Sequence, residues 1–142
     1  MAFENLSPVS DAIIAHADLL NEQSLASVIK VHSRQGGLPE MQNLNIAIIG
    51  VRESRGAVDY IDSSLDFTAI RKALYALFPG NWYTKIGDLG DLEPGDSASD
   101  TFYALKEIIT QLVKNNIIPL VLGGSQDLTY ALYRAFDGLD QM

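Results

Sequence analysis

From Leu44 onward the chain alternates short β-branched apolar runs with stretches of helical period, and this alternation narrows the possible folds more than any other feature. "LNIAIIGV" (44–51) is short, β-branched and ends in Gly-Val, as a strand buried on both faces does. After the polar loop "RESRGAVDY", Asp66 can cap a helix carrying Ile70, Leu74 and Leu77, which Pro79-Gly80 stops. "WYTKIGDL" predicts a second strand and "GDLEPGDSASD" a loop. Thr101 to Lys114 reads as a helix with Phe102, Leu105, Ile109 and Leu112 on one face. "NIIPLVL" is the third strand, where Pro119 removes one backbone donor near the start, and Gln126 to Phe136 the last helix. Strand followed by helix, three times over, predicts right-handed crossovers and a parallel sheet.

The residues before Leu44 lack this alternation. Ser7-Pro8 reads as a helix N-cap with proline at the first helical position, followed by Val9, Ile13, Ala17 and Leu20 at helical spacing. A weaker pattern runs through Leu25, Val28 and Ile29, and "SRQGGLPEMQN" (33–43) is a break. Residues 1–43 are therefore expected to form a helical extension on an α/β unit spanning 44–142.

Composition excludes several functions. Ten Lys+Arg against 18 Asp+Glu leave a net charge of −8, which argues against nucleic acid, because phosphate contacts need clustered cations. Cysteine is absent, so disulfides and thiolate chemistry are excluded and a cytoplasmic protein is expected. The opening "MAFENLSPVSD" has no signal-peptide pattern, and the longest apolar run (117–122) is too short to span a membrane.

In open α/β sheets, ligands sit beyond the carboxyl ends of the strands, which directs attention to the loops 52–59, 88–100 and 123–127. Gly123-Gly124 permits a sharp turn, and the helix after it offers free N–H groups to an anion; in the simpler reading Ser125 or Asp127 caps that helix. No nucleotide-binding glycine motif is present. Asp88, Asp91, Glu93, Asp96 and Asp100 fit no EF-hand spacing and read as a solvated loop with a helix cap. His16 and His32 lie far from these loops in sequence and read as surface histidines.

Taken in order, "IAIIGVRESRGA", "IRKAL", "DLGDL" (88–92) and "IPLVLGGSQDLTYA" resemble the N-terminal part of the ureohydrolase family: arginase, agmatinase and formimidoylglutamase. Glu53 and the helical extension lean towards the formimidoylglutamase branch. The resemblance implies a three-layer α/β/α fold with a parallel sheet, hydrolysis of a C–N bond in an amidine or guanidine substrate, and a manganese pair that lowers the pKa of bound water.

The family turn reads G-G-D-H-S, its His being the first metal ligand; here Ser125, Gln126 and Asp127 occupy those last positions. Gln126 and Asp127 are thus the candidate metal residues, and the Gln126 amide is a poorer Mn²⁺ ligand than imidazole. Gly123, Gly124 and Ser125 form the structural turn, and no catalytic residue is assigned. The other ligand motifs, D-x-H-x-D and D-x-D, would follow Met142, so the chain is expected to be the first part of a longer enzyme, inactive and without manganese by itself.

An alternative is a ureohydrolase-fold binding or structural protein whose metal site has degenerated; a third reading is a small α/β module complete at Met142. The expected partners are a small-molecule amidine for the full-length protein and, through an unpaired apolar edge on "IIPLVL", further copies of the chain in a homo-oligomer.

Overall fold

The structure, a computed structural model, describes residues 2–59 and 65–139; Tyr60, at the end of the polar loop read from sequence, lies outside them. In chain order the elements are β1 (Leu6–Ser7), α1 (Asp11–Asp18), β2 (Lys30–Val31), β3 (Ile46–Val51), α2 (Thr68–Tyr75), β4 (Ile86–Leu92), α3 (Ala98–Lys114), β5 (Ile118–Leu122) and α4 (Leu128–Asp137). Short 3₁₀ turns cover Ala2–Asn5, Leu25–Ser27 and Met41–Asn43.

The sheet has the order β1-β4-β3-β5, with β2 also on β4. β3 pairs in parallel with both β4 and β5, as the strand–helix alternation predicts. Alternate residues of β3 face opposite layers. Ala47, Ile49 and Val51 pack with Leu105, Ile109 and Leu112 of α3 and Ala131 of α4, whereas Ile48 joins Val9, Ile13, Leu25 and Tyr75 on the α1–α2 side. The result is a mixed, mostly parallel sheet between two helical layers.

Residues 1–43 depart from the expected helical extension because two of their segments are strands of the main sheet. β1 pairs antiparallel with the far end of β4 (Leu6 opposite Leu92), and β2 lies parallel to its near end (Lys30 opposite Gly87). Ser7 is consequently a strand residue, and Ser10 caps α1, its hydroxyl accepting from the Ile13 amide at 3.4 Å. The Leu25 pattern is only a 3₁₀ turn. His32 is half-buried, its Nδ1 2.9 Å from the Leu89 carbonyl oxygen and its amide donating to Asp88 O at 2.8 Å. Sequence separation had made it look remote, but β2 brings it onto β4.

Among the described residues β5 has a neighbour on one side only, and Ile118 and Leu120 are 64% and 46% exposed. Among the described residues no helix is long and apolar enough to cross a membrane.

Candidate site at the carboxyl ends of the strands

β4 does not stop at Asp88. It runs through "IGDLGDL" to Leu92, so Asp88 and Asp91, expected in a solvated loop, are buried strand residues at 0% and 5% exposure. Its register slips against β3: Ile48 stands opposite Asp88, but Gly50 opposite Asp91. One extra residue is therefore accommodated on β4, a bulge marked by Gly90 at φ +87°. In a regular strand, residues three apart face opposite sides; the bulge restores the parity and turns both carboxylates towards α2.

α2 answers them with a cation. The expected inward stripe of Ile70, Leu74 and Leu77 is not the buried face; Ile70 and Leu77 are exposed, and Arg71 and Tyr75, one turn apart, are buried instead. Arg71 donates from Nε and Nη2 to the two oxygens of Asp88 (2.8 and 3.0 Å), from Nη1 to Asp91 (2.7 Å) and from Nη2 to the Gly90 carbonyl (3.1 Å). The Tyr75 hydroxyl donates to Asp88 at 2.7 Å, and Arg52 reaches Asp91 from the solvent side at 2.9 Å. Burial disfavours the Arg71 charge, but the hydrogen bonds and charges of Asp88 and Asp91 outweigh it and raise its pKa. Burial, with the Asp88 charge beside it, pushes the Tyr75 phenol up as well. Gly50 leaves room for this network: a Cβ there would overlap the Asp91 carboxylate and stand 2.6 Å from the Phe67 ring.

The loop after β3 joins the other two. Glu53 is fully buried, and the exposed Arg55 wraps onto it with Nε at 2.9 Å and Nη2 at 2.6 Å, while the Thr101 hydroxyl donates at 2.8 Å. Arg55 also donates to the carbonyls of Gly95 and Asp96 at 2.9 and 3.0 Å, tying loop 52–59 to the loop after β4. The Arg55 side-chain hydrogen bond, aided by the Arg55 amide and Thr101 and opposed by burial, holds the Glu53 carboxyl at about 2.

The shift from 4.5 in the unfolded chain favours the folded state above that value, and the contribution is lost as pH falls towards about 2. Acid titration of the unfolding free energy should show this loss, on the order of 3 kcal/mol at most. Glu53→Gln should flatten the slope between these pH values; an unchanged slope would contradict the assignment.

The turn after β5 closes the set. The Ser125 amide donates to the Glu53 carbonyl at 2.9 Å and its hydroxyl sits 3.3 Å from the same oxygen, so Ser125 anchors the turn rather than capping α4. Asp127 is the N-cap residue, but its side chain makes no capping bond; it lies against Gly56 with Oδ1 buried and unpartnered. Gln126 is exposed. Neither Gly123 nor Gly124 has a positive φ, contrary to what a left-handed turn would require. Gly124 is needed for close approach instead, since a Cβ there would overlap the Glu53 carbonyl oxygen.

The same three-layer arrangement occurs in solved structures. The formiminoglutamase of Trypanosoma cruzi, solved with Mn²⁺, matches 81% of this chain with a TM-score of 0.61 at 23% identity. The agmatine ureohydrolase of Thermoplasma volcanium matches 83% with a TM-score of 0.60 at 16% identity. An arginase superfamily protein from Trypanosoma cruzi matches 69% with a TM-score of 0.56 at 20% identity.

The fold is arginase-like.

This chain spans 41%, 40% and 39% of the length of those three proteins, respectively. No protein-family model matches the sequence, nor does any curated protein. Within the arginase-like fold, the turn 123–127 carries one exposed amide, Gln126, and one carboxylate, Asp127. Among the described residues no group of three or more His, Asp or Glu converges to hold a metal ion. This donor set does not by itself fit the Mn²⁺ centre that the sequence resemblance implies.

Sequence reasoning reached Glu53 only through the resemblance and missed Arg71, Tyr75 and Arg55. The available signal was Arg71-x-x-x-Tyr75 on the helix preceding Asp88-x-x-Asp91: a cation and a phenol one turn apart, before carboxylates in a strand-like context.

Proposed function

We propose that this chain is the N-terminal part of a formimidoylglutamase-like ureohydrolase, acting when complete on the C–N bond of a linear amidine or guanidine in the cytoplasm, and inactive by itself. The observation that carries the reading is the turn 123–127. It lies at the carboxyl end of β5, stitched to the loop after β3 through Ser125 and Glu53, in a fold that covers 81% of this chain but 41% of the formiminoglutamase. Carboxylates in the loop after β4, Glu93 and Asp96 among them, suit a cationic substrate.

The purified 142-residue chain should release no urea, ammonia or formamide from arginine, agmatine or formimidoylglutamate, with or without Mn²⁺. The reading frame downstream of codon 142 should encode D-x-H-x-D and D-x-D. Metal-dependent turnover by the chain alone would overturn the first expectation, and a downstream sequence without those motifs the second. Gln126 in place of an imidazole favours a second reading, a binding or structural protein on the same fold, and the missing motifs would decide for it.

Association of copies belongs to the same proposal. Ile118 and Leu120 leave an apolar, open strand edge on β5, which recruits other strands. Light scattering at micromolar protein should give a dimer or larger species, and Leu120→Lys should return it to monomer. A monomeric parent chain would contradict edge pairing.

A further inference from the structure

At the opposite end of the sheet, where β3 and β4 begin, a cavity of about 830 Å³ opens between β2, the loop 36–43 and the loop 79–85. Its walls are largely apolar, from Leu25, Val31, Leu44 and Ile86. Two aromatic side chains line it although they are 80% and 100% exposed: Trp82, whose indole lies over Gly80 so closely that a Cβ there would overlap it, and Tyr83. Gly80 has φ +71° and Gly37 φ +70°, so both loops turn through conformations that glycine tolerates best.

Two cations line the same cavity. Lys30 stands opposite Gly87 in the β2–β4 register, Lys85 immediately precedes β4, and both line the cavity. Neither has an ion pair among the described residues, in a chain with 18 acidic side chains and a net charge of −8. Among the described residues Glu40 is the one acidic residue in the lining, and the Asn43 amide already donates to it at 3.3 Å.

We infer that this cavity is a binding site for a small organic anion carrying a flat apolar ring. The ring would lie against Trp82 and the apolar wall, and the carboxylate or similar group would meet Lys30 and Lys85. Apolar pockets of roughly 300–1,000 Å³ with a few convergent polar groups are the usual form of small-molecule sites. Stacking on an exposed aromatic and pairing with unengaged cations would supply orientation. The inference is independent of the ureohydrolase reading. The cavity lies across the sheet from the loops at the strands' carboxyl ends, and strands added beyond β5 would extend the sheet away from it.

Trp82 is the only tryptophan, so its indole N–H gives a single, assignable proton resonance at this cavity. 2-Naphthoate and 2-naphthalenemethanol, which share a ring and differ in charge, should be titrated in parallel into the 142-residue chain and followed by that resonance. A saturable shift is expected with naphthoate, at a midpoint about tenfold below that of the alcohol. The Lys30→Gln/Lys85→Gln variant, with its fold checked by circular dichroism, should lose that difference and bind both compounds alike. Equal midpoints for the two compounds in the parent chain, an undiminished preference in the variant, or no saturation would each overturn the site.

Discussion

Replacing Arg71 with methionine is expected to lower the unfolding free energy by about 3–5 kcal/mol, the usual cost of breaking a buried ion pair from one side. The guanidinium is 2% exposed and makes hydrogen bonds to both Asp88 oxygens, to Asp91 and to the Gly90 carbonyl. Without it, Asp88 keeps among the described residues only the Tyr75 hydroxyl and the Gly90 amide, and no cation pairs with its charge there. Domains of this size are stable by only about 5–15 kcal/mol, so the change should be plain in urea titration.

Adding Asp88→Leu to Arg71→Met should restore part of the loss, because it removes the stranded charge along with its partner. Asp91 would then be left to Arg52. Arg71→Met unfolding within about 1 kcal/mol of the parent, or a double variant showing simple additivity, would count against the network.

Gly124→Ala should cost about 2 kcal/mol or more, and Gly123→Ala well under that. Both backbones are free of positive φ, so the difference must come from neighbours. At Gly124 a new methyl would overlap the Glu53 carbonyl oxygen and stand 3.0 Å from that of Val51, prising the turn away from β3 and stretching the Ser125–Glu53 bond. At Gly123 it would meet only Leu128 Cδ1 at 3.3 Å, the end of a side chain that can shift. Melting midpoints of the two variants decide the matter: equal shifts would mean that the turn does not press on Glu53.

The strands from Ile46 onward and the helices α2, α3 and α4 were legible because apolar periodicity reports burial directly, and here most of the burial is apolar. β4 was cut short for the converse reason. Aspartate is uncommon in strands and defaults to solvent, so "DLGDL" read as loop although both aspartates face a buried arginine. The inner face of α2 was misjudged by the same rule, since Ile70 outranks Arg71 on any hydropathy scale until the charges beneath the helix are known. β1 and β2 have two residues each, too few to show a period, and exist only because β4 offers them an edge. At the turn after β5, the residue types identified a close approach but not its partner; only the fold brings Glu53 there.

That dependence on β4 also sets an order of events during synthesis. Leu6 pairs with Leu92 and Lys30 with Gly87, so neither early strand has a template until β4 has been made. At roughly 5–20 residues per second, the first segment waits several seconds for that partner. Throughout that interval Leu6, Val9, Ile13, Leu25 and Ile29, all buried in the finished protein, have no β4 to settle beside. These two segments emerge before β4 and dock only after it, so their apolar side chains stay uncovered in the meantime.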